Sequence, residues 1–287
     1  MAEHVIVIGG TGFLGSRVVG RLRERGRAVT VGSRSADGAA GKVRADVRDR
    51  ASLARAFEGA AAVVNCVGLY VETRGASFHD IHVEGARAVA EEARGQGVRR
   101  LVHISGIGAD AGSSSRYIRA RGEGEEAVRQ AFPEATVLRP SAMFSADAGF
   151  FAALAPIVRT LPVVPLFGAG ATRLQPVHVD DVAEAAARVL DSDTALGKVF
   201  ELGGPDVFTY REIVERLSVR AGKRRILVPL PFVFWHALAT VASLLPGPPL
   251  TPGQVDLMRR DNVVGEGVAG FADLGISPRS ALADGLV

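Results

Sequence analysis

Short runs of β-branched residues alternate with Ala-, Arg- and Glu-rich stretches along the first two-thirds of the chain. The runs at 4–10 (HVIVIGG), 27–34, 41–47, 61–68 (AAVVNCVG), 98–106 and 135–144 predict strands. The intervening stretches at 12–25, 50–59 and 78–97, with one more that carries Tyr117, predict helices. Strands separated by helices of this length require crossover connections, so the pattern predicts an α/β, doubly wound parallel sheet covered on both faces. After residue 144 the rhythm changes. Residues 145–170 are apolar and punctuated by Pro and Gly, and 173–190 predict a short strand and a helix with Asp180 as its N-cap. A strand follows at 198–204, a helix at 210–221, then an apolar stretch at 226–245 and an irregular tail. The expected division is a core at 1–145, completed by 173–203, and a smaller C-terminal lobe from 146–172 and 204–287.

Length changes the reading of the apolar stretch. Pro229 and Pro231 interrupt it, and 232–245 falls short of the roughly 20 residues a spanning helix needs, so a buried helix or a lipid-facing lid is expected, with no transmembrane span. Charged residues make up 23% and the net charge is +3 from scattered Arg, which fits a globular domain and gives no nucleic-acid face. Cys66 is the one cysteine, which excludes a disulfide framework and suits a reducing compartment. It is expected as a small core residue. The chain opens straight into its first strand without the pattern of a leader, so a location in the cytoplasm, free or at the inner face of a membrane, is expected. The six His include His79 and His82 three apart, but none sits in a ligand pattern such as H-E-x-x-H, and no metal is expected.

The first chemical signal lies at the first strand–helix junction. Gly9, Gly12 and Gly15 form G-x-x-G-x-x-G between strand and helix. Gly9 allows the tight turn, Gly12 the approach of a pyrophosphate, and Gly15 close packing of the helix, whose N-terminus faces the phosphate charge. The end of the second strand discriminates between dinucleotides. Ser33 and Arg34 stand where an acid would accept the ribose hydroxyls of NAD(H), and the guanidinium of Arg suits a 2′-phosphate. NADP(H) is therefore favoured, with NAD(H) as the alternative. Asp46, just after the third strand, is placed to bond the adenine edge or to cap the next helix.

These pieces, with ADVRD, HVEGARAVAEEA, LVHISGIGA, YIRARGEGEEAV, VLRPSAMF, QPVHVDDVAEA and FELGGPDVFTYREI, resemble the extended and atypical branches of the short-chain dehydrogenase/reductase superfamily. The tail LPGPPLTPGQVDLMRRDNVV makes the chain most similar to relatives of the nucleotide-binding accessory subunit of respiratory complex I, with the NmrA-like binders next. The resemblance implies a seven-stranded Rossmann core and a smaller lobe. It implies cofactor contacts from Gly9, Gly12, Phe13, Leu14, Gly15, Ser33, Arg34, Asp46, Val47, Val67, Gly68, Tyr117, Arg121 and Pro140.

In active members of the superfamily a Tyr is the general acid/base, a Lys four residues on lowers its pKa, and a Ser polarises the carbonyl. Here Tyr117 fills the first slot and Arg121 the second. Gly106 and Ile107 stand in the Ser slot, with Ser105 beside it. The resemblance therefore implies a dinucleotide-binding protein with an altered centre, in an accessory or sensing role and with complex I or another assembly as partner. The alternative is an active NADPH-dependent oxidoreductase acting on an apolar carbonyl or quinone through Tyr117, Arg121 and Ser105.

Overall fold

The computed structural model describes residues 3–36, 39–146, 148–243, 245 and 250–283. It divides into two units, one of Met1–Pro140, Val179–Leu202 and Glu266–Ser277, the other of Ser141–His178, Gly203–Gly265 and Pro278–Val287. Residues 266–277, expected in the smaller lobe, join the first unit.

The strands in chain order are β1 (His4–Ile8), β2 (Ala28–Ser33), β3 (Lys42–Arg44), β4 (Ala62–Asn65), β5 (Arg100–Ile104), β6 (Thr136–Pro140), β7 (Met143–Phe144), β8 (Val163–Phe167), β9 (Arg173–Leu174), β10 (Val177–His178), β11 (Val199–Leu202), β12 (Phe208–Thr209) and β13 (Ile226–Leu230). The helices are α1 (Phe13–Glu24), α2 (Arg50–Phe57), α3 (Gly85–Gly95), α4 (Arg116–Ala131), α5 (Phe150–Thr160), α6 (Val179–Leu190), α7 (Tyr210–Arg220), α8 (Phe232–Ala242) and α9 (Pro252–Leu257).

The first unit is built on a seven-stranded sheet of order β3-β2-β1-β4-β5-β6-β11, parallel throughout. This is the doubly wound Rossmann arrangement, and its order reverses between β1 and β4, which opens a crevice at the carboxyl ends of those strands. The central strands are buried on both faces, so they read as unbroken apolar runs: Val5, Ile6, Val7 and Ile8 in β1, and Ala62, Val63 and Val64 in β4.

Local departures from expectation have local causes. The helix expected over 78–97 opens as a π-helical segment, His79–Glu84, before α3. Its wide turn coincides with a close crossing, since a Cβ on Gly124 of α4 would stand 1.9 Å from the His82 carbonyl oxygen and one on Gly85 would stand 2.8 Å from Val47. Asp180 does not cap its helix. α6 begins at Val179, so Asp180 lies in the first turn, where its carboxylate meets the positive end of the helix and Arg17 at 3.6 Å. The strand expected over 135–144 ends at Pro140, and β7 pairs separately with β10.

In the second unit the Pro/Gly-punctuated stretch resolves into α5 and β8, which pairs in parallel with β13, and Phe144, Phe151, Leu166 and Ile213 form its core. The tail expected as irregular contains α9, capped reciprocally by Thr251 and Gln254. The part of the tail at 246–249 lies outside the described residues. The apolar stretch becomes β13 and α8. Trp235 and Ala239 are buried, but Val233, Phe234, Leu238 and Val241 are exposed, so α8 is not the wholly buried helix of the first expectation. Among the described residues no helix is long and apolar enough to cross a membrane.

Candidate functional site

The turn between β1 and α1 supplies the first wall of the site. Gly9 has φ +72°, which an L side chain rarely adopts, and its carbonyl accepts the Gly12 amide at 2.9 Å. A Cβ on Gly15 would lie 2.2 Å from the Gly9 carbonyl oxygen, so this glycine packs the first turn of α1 against the loop itself. Gly12 is the N-cap residue and offers no side-chain cap, which leaves the amides of Phe13 and Leu14 at the positive helix end.

Of the expected contacts, Gly9, Gly12, Ser33, Arg34, Val47 and Val67, together with Gly68, line one cavity of about 300 Å³ in the first unit. Phe13, Leu14 and Gly15 stand behind the turn and do not line it. Neither does Asp46, which accepts from the Arg48 amide at 3.0 Å and from the Arg48 guanidinium. That pairing holds its carboxyl below the usual carboxylate range. The capping alternative for Asp46 is excluded, because Asp49 caps α2 by accepting from the Ser52 amide. Arg34 makes no hydrogen bond or ion pair among the described residues, and no acid is among the described residues that line the cavity. Cys66, expected in the core, stands on the cavity wall instead, and burial pushes its thiol up to about 12. Sequence reasoning missed Ser35 and Leu69, which adjoin predicted strand ends. It also missed Ala76 and Ile81, which carry no local signal because only the fold brings them to the wall.

Tyr117 and Arg121 meet next to this cavity. One turn apart on α4, they share a face, and Arg121 Nε donates to Tyr117 Oη at 2.7 Å. The guanidinium carbon lies 5.0 Å from the Tyr117 ring centroid and 5.9 Å from that of Tyr70. A Cβ on Gly68 would stand 3.7 Å from Arg121 Nη2, and one on Gly106 would stand 3.5 Å from Nη1. Arg121 thus lies between the carboxyl ends of β4 and β5, with its fork against Gly68 and Gly106.

Tyr70, Phe78 and His82 surround the Tyr117 ring at centroid distances of 5.9, 5.2 and 5.7 Å. Burial raises the Tyr117 phenol well above its usual range despite the neighbouring Arg121. His82 bridges to the loop through Nε2, which stands 2.8 Å from the Leu69 carbonyl and 3.2 Å from the Leu69 amide. Burial first, and then Arg121, hold His82 down to about 3 and His103 to about 4. Ser105 is buried, and its hydroxyl has no partner among the described residues, so the structure does not join it to Tyr117 or Arg121. Pro140 ends β6, and its carbonyl accepts the Ile107 amide near the guanidinium. No group of His, Cys, Asp and Glu among the described residues is arranged to hold a metal.

The residues fit a nicotinamide dinucleotide. A glycine turn with exposed helix amides, a cavity lined by small and apolar side chains, and an unpaired cation at its edge form a bed for a phosphate-linked, flat ligand.

Comparison with known proteins agrees with this geometry. Residues 5–203 match the NAD dependent epimerase/dehydratase family, whose members bind a nicotinamide dinucleotide. The chain is 34% identical to NADH dehydrogenase (ubiquinone) 1 alpha subcomplex subunit 9, mitochondrial, of Arabidopsis thaliana, over 95% of this chain and 73% of the relative. It is 31% identical to the NADH-ubiquinone oxidoreductase 40 kDa subunit, mitochondrial, of Neurospora crassa, over 95% and 75%. It is 30% identical to the ceramide reductase of Caulobacter vibrioides, over 79% and 73%. Among solved structures, the UDP-glucose 4-epimerase of Thermus thermophilus in complex with NAD superposes with a TM-score of 0.64 at 23% identity, covering 92% of this chain and 95% of that one, which shows the shared fold.

The cytoplasmic location expected from the sequence does not stand, because the plant and fungal relatives are named as mitochondrial proteins. Glycine turn, parallel sheet and family match together make the chain a member of the NAD dependent epimerase/dehydratase family, within the extended short-chain dehydrogenase/reductases.

Proposed function

We propose that this protein holds NADP(H) in the cavity as a structural or sensing ligand and serves as an accessory subunit of a complex I-type assembly, without the proton-transfer chemistry of active relatives. The observation that carries the proposal is the Tyr117–Arg121 pair. An acid/base catalyst works best with a pKa near the operating pH. Here the phenol is buried, raised, and hydrogen-bonded by a guanidinium where active members place a compact ammonium. The polarising hydroxyl is missing too, with Gly106 in its slot. The similarity to two complex I subunits over 95% of the chain supports the partner.

Arg34 supports NADP(H) over NAD(H). It lines the cavity beside Ser33 and Ser35, with no carboxylate among the described lining residues to accept a 2′-hydroxyl. In this reading Gly9, Gly12 and Gly15 with the amides of Phe13 and Leu14 take the pyrophosphate, Val47 and Val67 flank the adenine side, and Gly68, Tyr117, Arg121 and Pro140 border the nicotinamide side.

Affinity purification of the tagged protein from gently solubilised cells tests the proposal. Complex I subunits and stoichiometric NADP(H) in the eluate are the expected result, and a free protein that exchanges its nucleotide readily would refute it. The similarity to a ceramide reductase favours one second reading, an NADPH-dependent reductase of an apolar carbonyl compound. Tyr117 would then be the acid, and turnover that disappears in Tyr117→Phe would establish it.

A further inference from the structure

Arg121 is 9% exposed, and its one hydrogen bond among the described residues is the Nε contact to Tyr117. Its two amino groups have no acceptor there, yet neither belongs to the sealed polar atoms of the interior. The carboxylate nearest along the helix, Glu125, is taken by Arg139, at 2.7 Å from Nη2 and 3.0 Å from Nε, and Arg139 also meets Glu201 at 3.3 Å. Glu125 attracts Arg121 through space but gives its amino groups nothing to bond. The two imidazoles on either side, His82 and His103, are neutral and already engaged, with Leu69 and with Asn65.

The groups that converge here are mainly donors, since the nearby Pro140 carbonyl already accepts from the Ile107 amide. Tyr117 Oη accepts from Nε, which leaves its own O–H to donate, and the terminal fork of Arg121 adds two parallel donors above Gly68 and Gly106. A planar anion with two oxygens matches the fork in charge, shape and hydrogen-bond count.

We infer that the altered reaction centre is a carboxylate-binding site, in which the Arg121 amino groups and the Tyr117 hydroxyl hold a small organic carboxylate against the carboxyl ends of β4 and β5. Half-exposed Tyr70, 58% accessible and stacked on Tyr117, flanks its entrance. The inference goes beyond the accessory role, because neither the dinucleotide nor a partner is needed for the anion to bind.

Thermal unfolding and titration calorimetry of the purified protein, at constant ionic strength set with sodium chloride, test it. Acetate and benzoate are the probes, acetamide and benzamide their uncharged counterparts, and inorganic phosphate the non-planar oxyanion. Saturable binding of the carboxylates, with a rise in melting temperature, is expected for the wild type, and no response to the amides. Affinity should fall at least tenfold in Arg121→Met and severalfold in Arg121→Lys and Tyr117→Phe. If Arg121→Met does not fold, the other two variants carry the test. A wild type that ignores carboxylates overturns the inference. So does equal binding of the amides, tighter binding of phosphate, or undiminished binding in the variants. An NADPH fluorescence titration of the same samples reports separately on the dinucleotide reading.

Discussion

The two ends of the candidate site differ in how they are built. At the glycine turn the function lies in the backbone: a positive φ at Gly9, open helix amides, and a glycine at 15 whose Cβ would collide with the Gly9 carbonyl. At the Tyr117 end the function lies in side chains, with a large buried cation lying against Gly68 and Gly106. Backbone geometry of the first kind tolerates almost no substitution and stays constant whatever chemistry follows. A side-chain centre of the second kind can exchange Lys for Arg and keep its charge while it loses its reaction. The difference teaches that cofactor binding and catalysis are separable in this fold, because they rest on different parts of the chain.

The largest expected effect separates the two ends by pH. His82 and His103 are neutral in the fold, at about 3 and about 4 against an ordinary 6.5, whereas the unfolded chain protonates both below 6.5. The unfolded state then binds more protons, so stability falls as pH drops from 6.5 toward 4, at about 1.4 kcal/mol per pH unit for each histidine. Chemical denaturation at pH 7, 6 and 5 should show this slope, and His103→Gln should remove about half of it. A flat profile would mean that these rings are not shielded, and the donor-rich description of the centre would fail with it.

Gly15→Ala comes next and strikes the other end. The added methyl meets backbone atoms at 2.2 and 2.8 Å that no rotamer change can move, so a loss of about 3 kcal/mol and of measurable dinucleotide binding is expected from calorimetry and NADPH fluorescence. Tyr117→Phe should cost less, about 1–3 kcal/mol, because it leaves the buried Arg121 Nε without its acceptor. Dinucleotide affinity should fall far less in that variant than in Gly15→Ala, since Tyr117 only borders the nicotinamide side. A variant that kept its stability but lost NADPH binding would merge the two ends into one functional unit.

Legibility in the sequence follows the same division. The alternation of apolar runs and amphipathic stretches fixes the parallel sheet, since each crossover helix is long enough to read, and the spacing of Gly9, Gly12 and Gly15 marks the turn because local backbone needs write themselves locally. Tyr117 and Arg121 are legible as a pair from their spacing of four. The position of the guanidinium between Gly68 and Gly106 is not, for it depends on two strand ends that are neighbours only in the sheet. The π-helical turn at His79–Glu84 escapes for a like reason, as it accompanies a crossing with Gly124 some forty residues away. The exposed face of α8 also goes unread, because an uncharged helix looks the same in sequence whether one side or both are covered.

The smallest expected effect bears on which dinucleotide the turn serves. Arg34 lies on the cavity wall with no hydrogen bond or ion pair among the described residues and only a through-space attraction to Asp46, so removing it should leave stability within about 0.5 kcal/mol of wild type. If its fork holds the 2′-phosphate, Arg34→Ala should weaken NADPH by roughly tenfold, the loss of one charge-assisted contact in a partly solvated setting, and leave NADH unchanged. Raising the salt concentration should narrow the gap between the two cofactors in the wild type and have little effect on the variant. Equal weakening of both cofactors would instead place Arg34 against the adenine or the pyrophosphate, which are common to the two. The preference at the backbone-built end would then have to come from Ser33 and Ser35 alone, and two neutral hydroxyls give a phosphate far less discrimination than a guanidinium.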